Sequence, residues 1–132
     1  MATYSRFEDL PVWQRARELD KKVFAAANDI LLNKDFGLRN QILNASGSIM
    51  DNIAEGFERS SRLEFINFLS FAKGSAGEVK SQLYRSLDRN YITETLFTEL
   101  SAEVDEVCKM LMGFMEYLNT SVHRGQKFKG RT

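Results

Sequence analysis

Carboxylates are the only groups in this sequence dense enough to suggest chemistry. Glu103, Asp105, Glu106 and Glu116 fall within one predicted helix, and acid clusters of this kind serve proton transfer or metal binding when histidine or cysteine joins them. His123 is the single histidine and Cys108 the single cysteine. A di-iron centre in a helix bundle needs Glu-x-x-His pairs on two helices, which one histidine cannot supply. One cysteine likewise excludes a thiolate cage and an intramolecular disulfide. No glycine-rich phosphate loop, nucleophile elbow or cysteine pair occurs. The acids therefore read as a solvated helix face, and Cys108, near Val107 and Leu111, as a small buried hydrophobe. The chain reads as a non-enzyme without metal or cofactor.

Binding is the alternative to catalysis, and three groups of residues suggest it. Gln41, Ser48, Asn52 and Glu55, with Ala45, form a polar and small row beside an apolar seam. Such a row serves a structural hydrogen-bond network or a binding surface, and Asn52, nearest the seam, favours the network, with Glu55 beside it. Ser70, Gly74, Gly77 and Ser81 recur at steps of four, three and four opposite Phe65, Leu69 and Ala72. Each interior glycine costs about 1 kcal/mol against alanine, so close approach by another backbone is the expected reason for them. Phe71 lies near this strip, and Trp13, Phe24, Ala27 and Leu31 form a second apolar row on the first helix. Together these predict a subunit interface. Bases make the third group: Arg17, Lys21, Lys22, Arg59, Arg62, Lys73 and Lys80, with Arg124, Lys127, Lys129 and Arg131 near the C-terminus. Those on the first and third helices are expected to join into one patch for RNA or DNA across a bundle or a ring.

Four helical segments must position these residues. Asp9 is expected to cap the first and Pro11 to open it, with Val12, Ala16, Leu19, Val23, Ala26 and Ile30 along one seam to about Asn33. The second spans about 35–57, with Leu38, Ile42, Ala45, Ile49 and Ile53 inward and Gly56 near its C-terminal end. Ser61 and Glu64 form a capping box for the third, whose Phe65, Leu69, Ala72, Ala76, Val79 and Leu83 keep the same rhythm to about Asn90. Thr93 caps the fourth, where Phe97, Leu100, Val104, Val107, Leu111, Phe114 and Leu118 face inward. Short links between amphipathic helices predict an all-α, antiparallel up-down-up-down four-helix bundle over 1–123. Residues 124–132 carry four bases, no acid and little to bury, so a disordered tail is expected there.

The remaining totals agree with one such domain. The chain has 132 residues, 43% hydrophobic and 27% charged, with one Pro and 8 Gly, too few turn formers for a β-sandwich or barrel. The 18 Lys plus Arg balance 18 Asp plus Glu, so net charge alone demands neither nucleic acid nor an anionic membrane. No apolar run reaches the roughly 20 residues of a membrane span, and the N-terminus lacks a secretory pattern. A cytoplasmic location and no membrane partner are expected. Charge is nonetheless uneven, since residues 94–116 hold six acids against Lys109.

Several strings carry a family resemblance: Phe7 to Leu10 with Val12 and Trp13; Phe36 to Leu38 with Gln41 and Ala45; Ser48 and Ile49; Asn52 to Phe57 with Arg59; then Phe65, Phe68, Ala72 to Ser75 and Glu78. Over residues 7 to about 92 the chain resembles the four-helix-bundle family encoded in intervening sequences of bacterial 23S ribosomal RNA genes. The resemblance implies a cytoplasmic bacterial bundle, often a homopentamer, without known catalysis and sometimes labelled a ribosomal protein. That family is also similar in fold to the accessory protein of diversity-generating retroelements, a pentamer that binds nucleic acid and a reverse transcriptase. One departure concerns nucleic acid: the family tends to place arginines just after Gln41 and Ile42, where this chain has Leu43 and Asn44. The expected function is a non-catalytic homo-oligomer that binds structured RNA or DNA as an accessory factor. The rival is a scaffold that presents its acidic fourth helix or polar row to a protein partner.

Overall fold

The computed structural model describes residues 4–121. A short 3-10 turn over Phe7–Asp9 leads into α1 (Pro11–Ala27), α2 (Ile30–Lys34), α3 (Phe36–Glu58), α4 (Arg62–Asp88) and α5 (Glu94–Ser121). Among the described residues there is no strand. The fold is an all-α bundle in which α1 and α4 each pack against both α3 and α5. Contacts along the seams fix the directions of the helices. Asp20 meets Ser46 while Asn28 meets Arg39; Ser48 meets Ser75 while Gln41 meets Arg85; Asp105 meets Lys80 while Leu118 meets Arg62. In each pair numbers rise on one helix as they fall on the other, so these neighbours run antiparallel.

The four-three spacing predicts the core well, because one stripe of each long helix must leave water. Every predicted seam residue from Val12 to Ala26, Leu38 to Ile53 and Phe65 to Leu83 is buried, as are Leu100, Val104, Val107, Leu111 and Leu118. Fully burying a Leu, Ile or Phe contributes about 1.5–3 kcal/mol, so these stripes dominate the stability. Phe97 and Phe114 are half-buried at the rim of the core. Ser61 caps α4 by accepting the Glu64 N–H at 3.3 Å, and Thr93 caps α5 by accepting that of Leu96 at 3.1 Å.

The first helix differs from expectation at both ends. Asp9 caps nothing: it sits in the 3-10 turn, where Arg6 donates to its carboxylate at 3.0 Å. Leu10 precedes α1 without a side-chain cap, and Pro11 fills the first turn. Instead of running on to Asn33, α1 stops at Ala27, and the short α2 follows. Asn28 ends it, with its side-chain oxygen accepting from Arg39 at 3.1 Å. An Asn-Asp pair competes with the helix for its own backbone bonds. Leu32 is still buried beyond the break, but six residues from Ala26 it falls outside the four-three rhythm of α1.

Asp35 pins the opposite corner. It caps α3 by accepting the Leu38 N–H at 3.2 Å, and its other oxygen accepts from Arg89 at 2.7 Å and the Tyr91 hydroxyl at 2.9 Å. Asn90 between these two donors has φ 60°, a left-handed conformation that asparagine tolerates better than most residues. The Leu38 N–H, the Tyr91 hydroxyl and Arg89 hold the Asp35 carboxyl below its ordinary range. A depressed folded-state pKa contributes stability above the unfolded value and loses it as pH falls through the folded one. Thermal midpoints should therefore drop on acidification from about pH 5 downward, and Asp35→Asn should flatten that drop while lowering the midpoint at neutral pH. A pH series of melting curves on the two proteins checks this.

Gly56 lies in the last turn of α3, near its C-terminal end as the sequence suggests, and is buried. A Cβ placed there would lie 2.7 Å from Phe68 Cβ and 2.9 Å from Phe65 Cδ1. Only hydrogen lets α3 and α4 come this close. Gly56→Ala should destabilise the bundle by about 1–3 kcal/mol through overpacking, seen as a lower urea midpoint; an unchanged midpoint would show that the seam can open freely.

The domain boundary at residue 123, His123 and the tail over 124–132, with Arg124, Lys127, Lys129 and Arg131, lie outside the described residues.

Candidate functional site

Within one chain the candidate bases of α1 and α4 are set apart, since these helices stand diagonally across the bundle with α3 and α5 between them, and Lys22 and Lys80 reach α5 from its two sides. Most are also matched by neighbouring acids. Lys21 pairs with Glu18 at 3.0 Å, Lys22 with Glu103 at 3.0 Å and Lys80 with Asp105 at 2.7 Å. Arg59 pairs with Glu55 at 3.1 Å and lies over the Phe68 ring, 4.9 Å from its centre. Arg62 is a correction to the candidate set: only 6% exposed, it donates to the Leu118 carbonyl at 3.4 Å and ties the start of α4 to the end of α5. Lys73 is exposed and makes no ion pair among the described residues. Arg17 stacks over Trp13, 5.7 Å from the ring centre, with no carboxylate partner among the described residues.

The acids of α5 lie outward, exposed or half-buried, as expected, and two of them are also paired. Glu103 accepts from Lys22 at 3.0 Å and from Arg15 at 3.2 Å, and these two partners hold its carboxyl below the ordinary range. Asp105 is taken by Lys80. At these two acids charge is thus matched across the seams. Burial raises the Cys108 thiol, in keeping with a packed side chain. Among the described residues no three His, Cys, Asp or Glu side chains are grouped to hold a metal, and no helix is long and apolar enough to cross a membrane.

The polar row on α3 divides. Asn52 donates to the Ser48 carbonyl at 2.8 Å and hydroxyl at 3.0 Å, and the Ser75 hydroxyl of α4 reaches Ser48 at 3.2 Å. Gln41 accepts from Arg85 at 2.7 Å. Glu55 stands apart, turned to Arg59 rather than to Asn52. Beside this network an open groove of about 580 Å³ runs between α3 and α4, lined by Gln41, Asn44, Ser48, Glu78, Gln82 and Arg85, with Ser81 at its edge. Gln82 is 8% exposed, yet its Oε1 has no hydrogen-bond partner.

Ser70, Gly74, Gly77 and Ser81 are all exposed along the outer line of α4. Nothing lies within 4 Å of a Cβ built at Gly74 or Gly77, so no backbone of the same chain makes the expected close approach. Leu63, Phe71 and Tyr84 are exposed large hydrophobics on the same helix; Phe71 meets Phe68 edge-on at 5.5 Å. On α1, Phe24 is 53% exposed, while Trp13 is half-buried against Phe7 at 5.2 Å. Ala27, expected in the same row, is fully buried and belongs to the core.

Sequence and fold comparisons agree with this architecture. The family model described as "23S rRNA-intervening sequence protein" matches residues 8–113. The chain belongs to this family. A solved structure of a protein with unknown function from the S23 ribosomal protein family of Bacteroides thetaiotaomicron is similar at 27% identity and a TM-score of 0.74. That match covers 80% of this chain and 95% of the other. No curated protein matches.

Gln82 escaped the sequence reading and Glu78 entered it only within a family string, although Ser75 and Gln82 repeat at seven residues beside the α4 seam. That spacing on α4 answers the polar row of α3. Removing the centre of the network should act on stability: Asn52→Leu leaves Ser48 with fewer donors and should cost about 1 kcal/mol. Urea unfolding measures it, and a full loss of self-association at unchanged stability would instead make the row a contact surface.

Proposed function

We propose that this protein is a non-catalytic, cytoplasmic helical scaffold that works by associating with copies of itself. The observation that carries this reading is the outer line of α4, where Gly74 and Gly77 leave the backbone open beside exposed Leu63, Phe71 and Tyr84. Interior glycines weaken a helix, and large apolar side chains left exposed along it favour burial against a partner. α4 has 27 residues and is about 40 Å long, enough for a contact of about 800 Å² per subunit. The family resemblance suggests a closed homopentamer. Light scattering tests the assembly: the wild type should be a closed oligomer, and Gly74→Leu with Gly77→Leu should release smaller species. A 15.2 kDa particle at micromolar concentration would end this reading.

A second role, contact with structured RNA or DNA as an accessory factor, is favoured by four bases within the last nine residues and by the family's name. Because the folded bases are largely paired, such contact falls chiefly to Arg124, Lys127, Lys129 and Arg131, with Lys73 and Arg17 in support. One tail binds weakly, whereas several on one assembly gain avidity. Releasing about four counterions per subunit should weaken its contribution on the order of a hundredfold between about 50 and 200 mM salt. Deleting residues 124–132 should flatten that dependence and leave oligomer size intact. Titrations that show no binding even at the lower salt would leave the protein-partner scaffold in its place.

A further inference from the structure

A pocket of about 280 Å³ opens where the start of α1 meets the later turns of α5, lined by Leu10 and Val12 on one side and by Met110, Gly113 and Phe114 on the other. Gly113 lies inside α5, where glycine gives up helix propensity, and a Cβ built on it meets nothing within 4 Å. The space that a side chain would fill stays open. A dry cavity of about 150 Å³ with such a lining takes up benzene, so an aromatic ring fits here. Two acids flank this stretch of α5. Glu106 stands one turn before Met110 and Glu116 one turn after Gly113, about 15 Å apart along the axis. Neither has an ion pair among the described residues.

We infer that the chain's own C-terminal segment occupies this pocket, with Phe128 between the two walls and the neighbouring bases beside Glu106 and Glu116. Among residues 122–132 Phe128 is the only Phe, Tyr or Trp, and Lys127 and Lys129 adjoin it. α5 ends at Ser121, so the segment starts close to the pocket. Gly113 lies about 12 Å back along the helix, whereas an extended chain from Ser121 to Phe128 covers up to about 24 Å. The surplus lets the chain reverse, and Gly125 supplies a residue that turns without steric cost. A returning segment meets Glu116 first and Glu106 last, which sets Arg124 and Lys127 toward one acid and Lys129 and Arg131 toward the other. Tethering raises the effective concentration of the segment to about the millimolar range, so one ring and a few screened charges are enough. The same bases carry the contact with nucleic acid proposed above. On that reading, RNA must lift Phe128 out of the pocket before it meets all four of them.

Trypsin acting on the full-length protein reads the docking, since cleavage after Lys127 and Lys129 tracks the population of undocked segment. Phe128→Ala should raise that rate on the order of tenfold, the effect of one buried ring less the cost of ordering the segment. Gly113→Leu leaves every cleavage site as it is, fills the pocket from the α5 side and should raise the rate equally. The two changes together should add nothing further. The Met110 methyl resonance gives a second readout: the ring current of Phe128 displaces it, so Phe128→Leu should move it while the circular dichroism melting midpoint stays that of the wild type. A Gly113→Leu protein cleaved at the wild-type rate, or an unmoved Met110 signal, would overturn the docking. Protection that disappears on dilution would give the pocket to another copy's segment and overturn the intramolecular contact. Competition with nucleic acid is read separately, by titrating a hairpin RNA: Phe128→Ala keeps all four bases and at about 50 mM salt should bind up to about tenfold tighter than the wild type. Faster cleavage with no RNA binding by either protein would uphold the docking and remove the nucleic-acid role. Faster cleavage with equal RNA affinity would refute the competition.

Discussion

Gly56 sets the distance on which the rest of the bundle depends. With only hydrogen at that position, α3 lies against Phe65 and Phe68 of α4, and this seam is the most extensive in the molecule. The close approach brings Ser48 within hydrogen-bond reach of Ser75, and Gln41 within reach of Arg85. It also stacks Arg59 over Phe68 and holds Phe57, Phe65 and Phe114 in edge-to-face contact. A wider seam would admit water to the polar row, where hydrogen bonds are worth least. Packing at one glycine thus determines whether the neighbouring polar groups act as structure or as surface.

Charge follows from the same arrangement. A chain with balanced totals but an acidic last helix could have presented a strong field at one side. Instead Glu103 is clamped by Arg15 and Lys22, and Asp105 by Lys80. Exposed pairs of this kind contribute at most about 1 kcal/mol each, so their main effect is to remove free charge from the folded surface. The folded body therefore offers no broad basic face. Recognition must rely on the few groups whose partners are absent, on apolar contact and on the C-terminal bases.

The outward line of α4 and the apolar shoulder of α1 are the parts of the surface that folding of one chain leaves unsatisfied. Core positions are filled, the starts of α3, α4 and α5 are capped, and Asp35 fastens the start of α3 to the end of α4. What remains is a helix that gives up propensity at Gly74 and Gly77 where its own bundle gains nothing from the space. Sequences keep such local conflicts where a second requirement acts, and self-association is the requirement these surfaces fit.

Sequence alone determined the all-α class, the inward stripe of every long helix, the Ser61 and Thr93 caps and the family, because each is written in local spacing or in short strings. It also isolated Gly74 and Gly77 as anomalous, since propensity is local too. It could not show the break after Ala27, because Ile30, Leu31 and Leu32 continue an apolar run past it in the sequence. Gly56 was legible as a glycine near the end of a helix, but only its nearness to Phe65 and Phe68 gave it a reason. Which helices adjoin was decided by tertiary structure, and with it the fate of the charges. Arg62 was indistinguishable from Lys73 in the sequence, yet one lies under the end of α5 and the other in solvent. Periodicity states that a face is inward or outward; it does not state what stands opposite, and a salt bridge, a polar groove or an orphaned acceptor exists only between two faces.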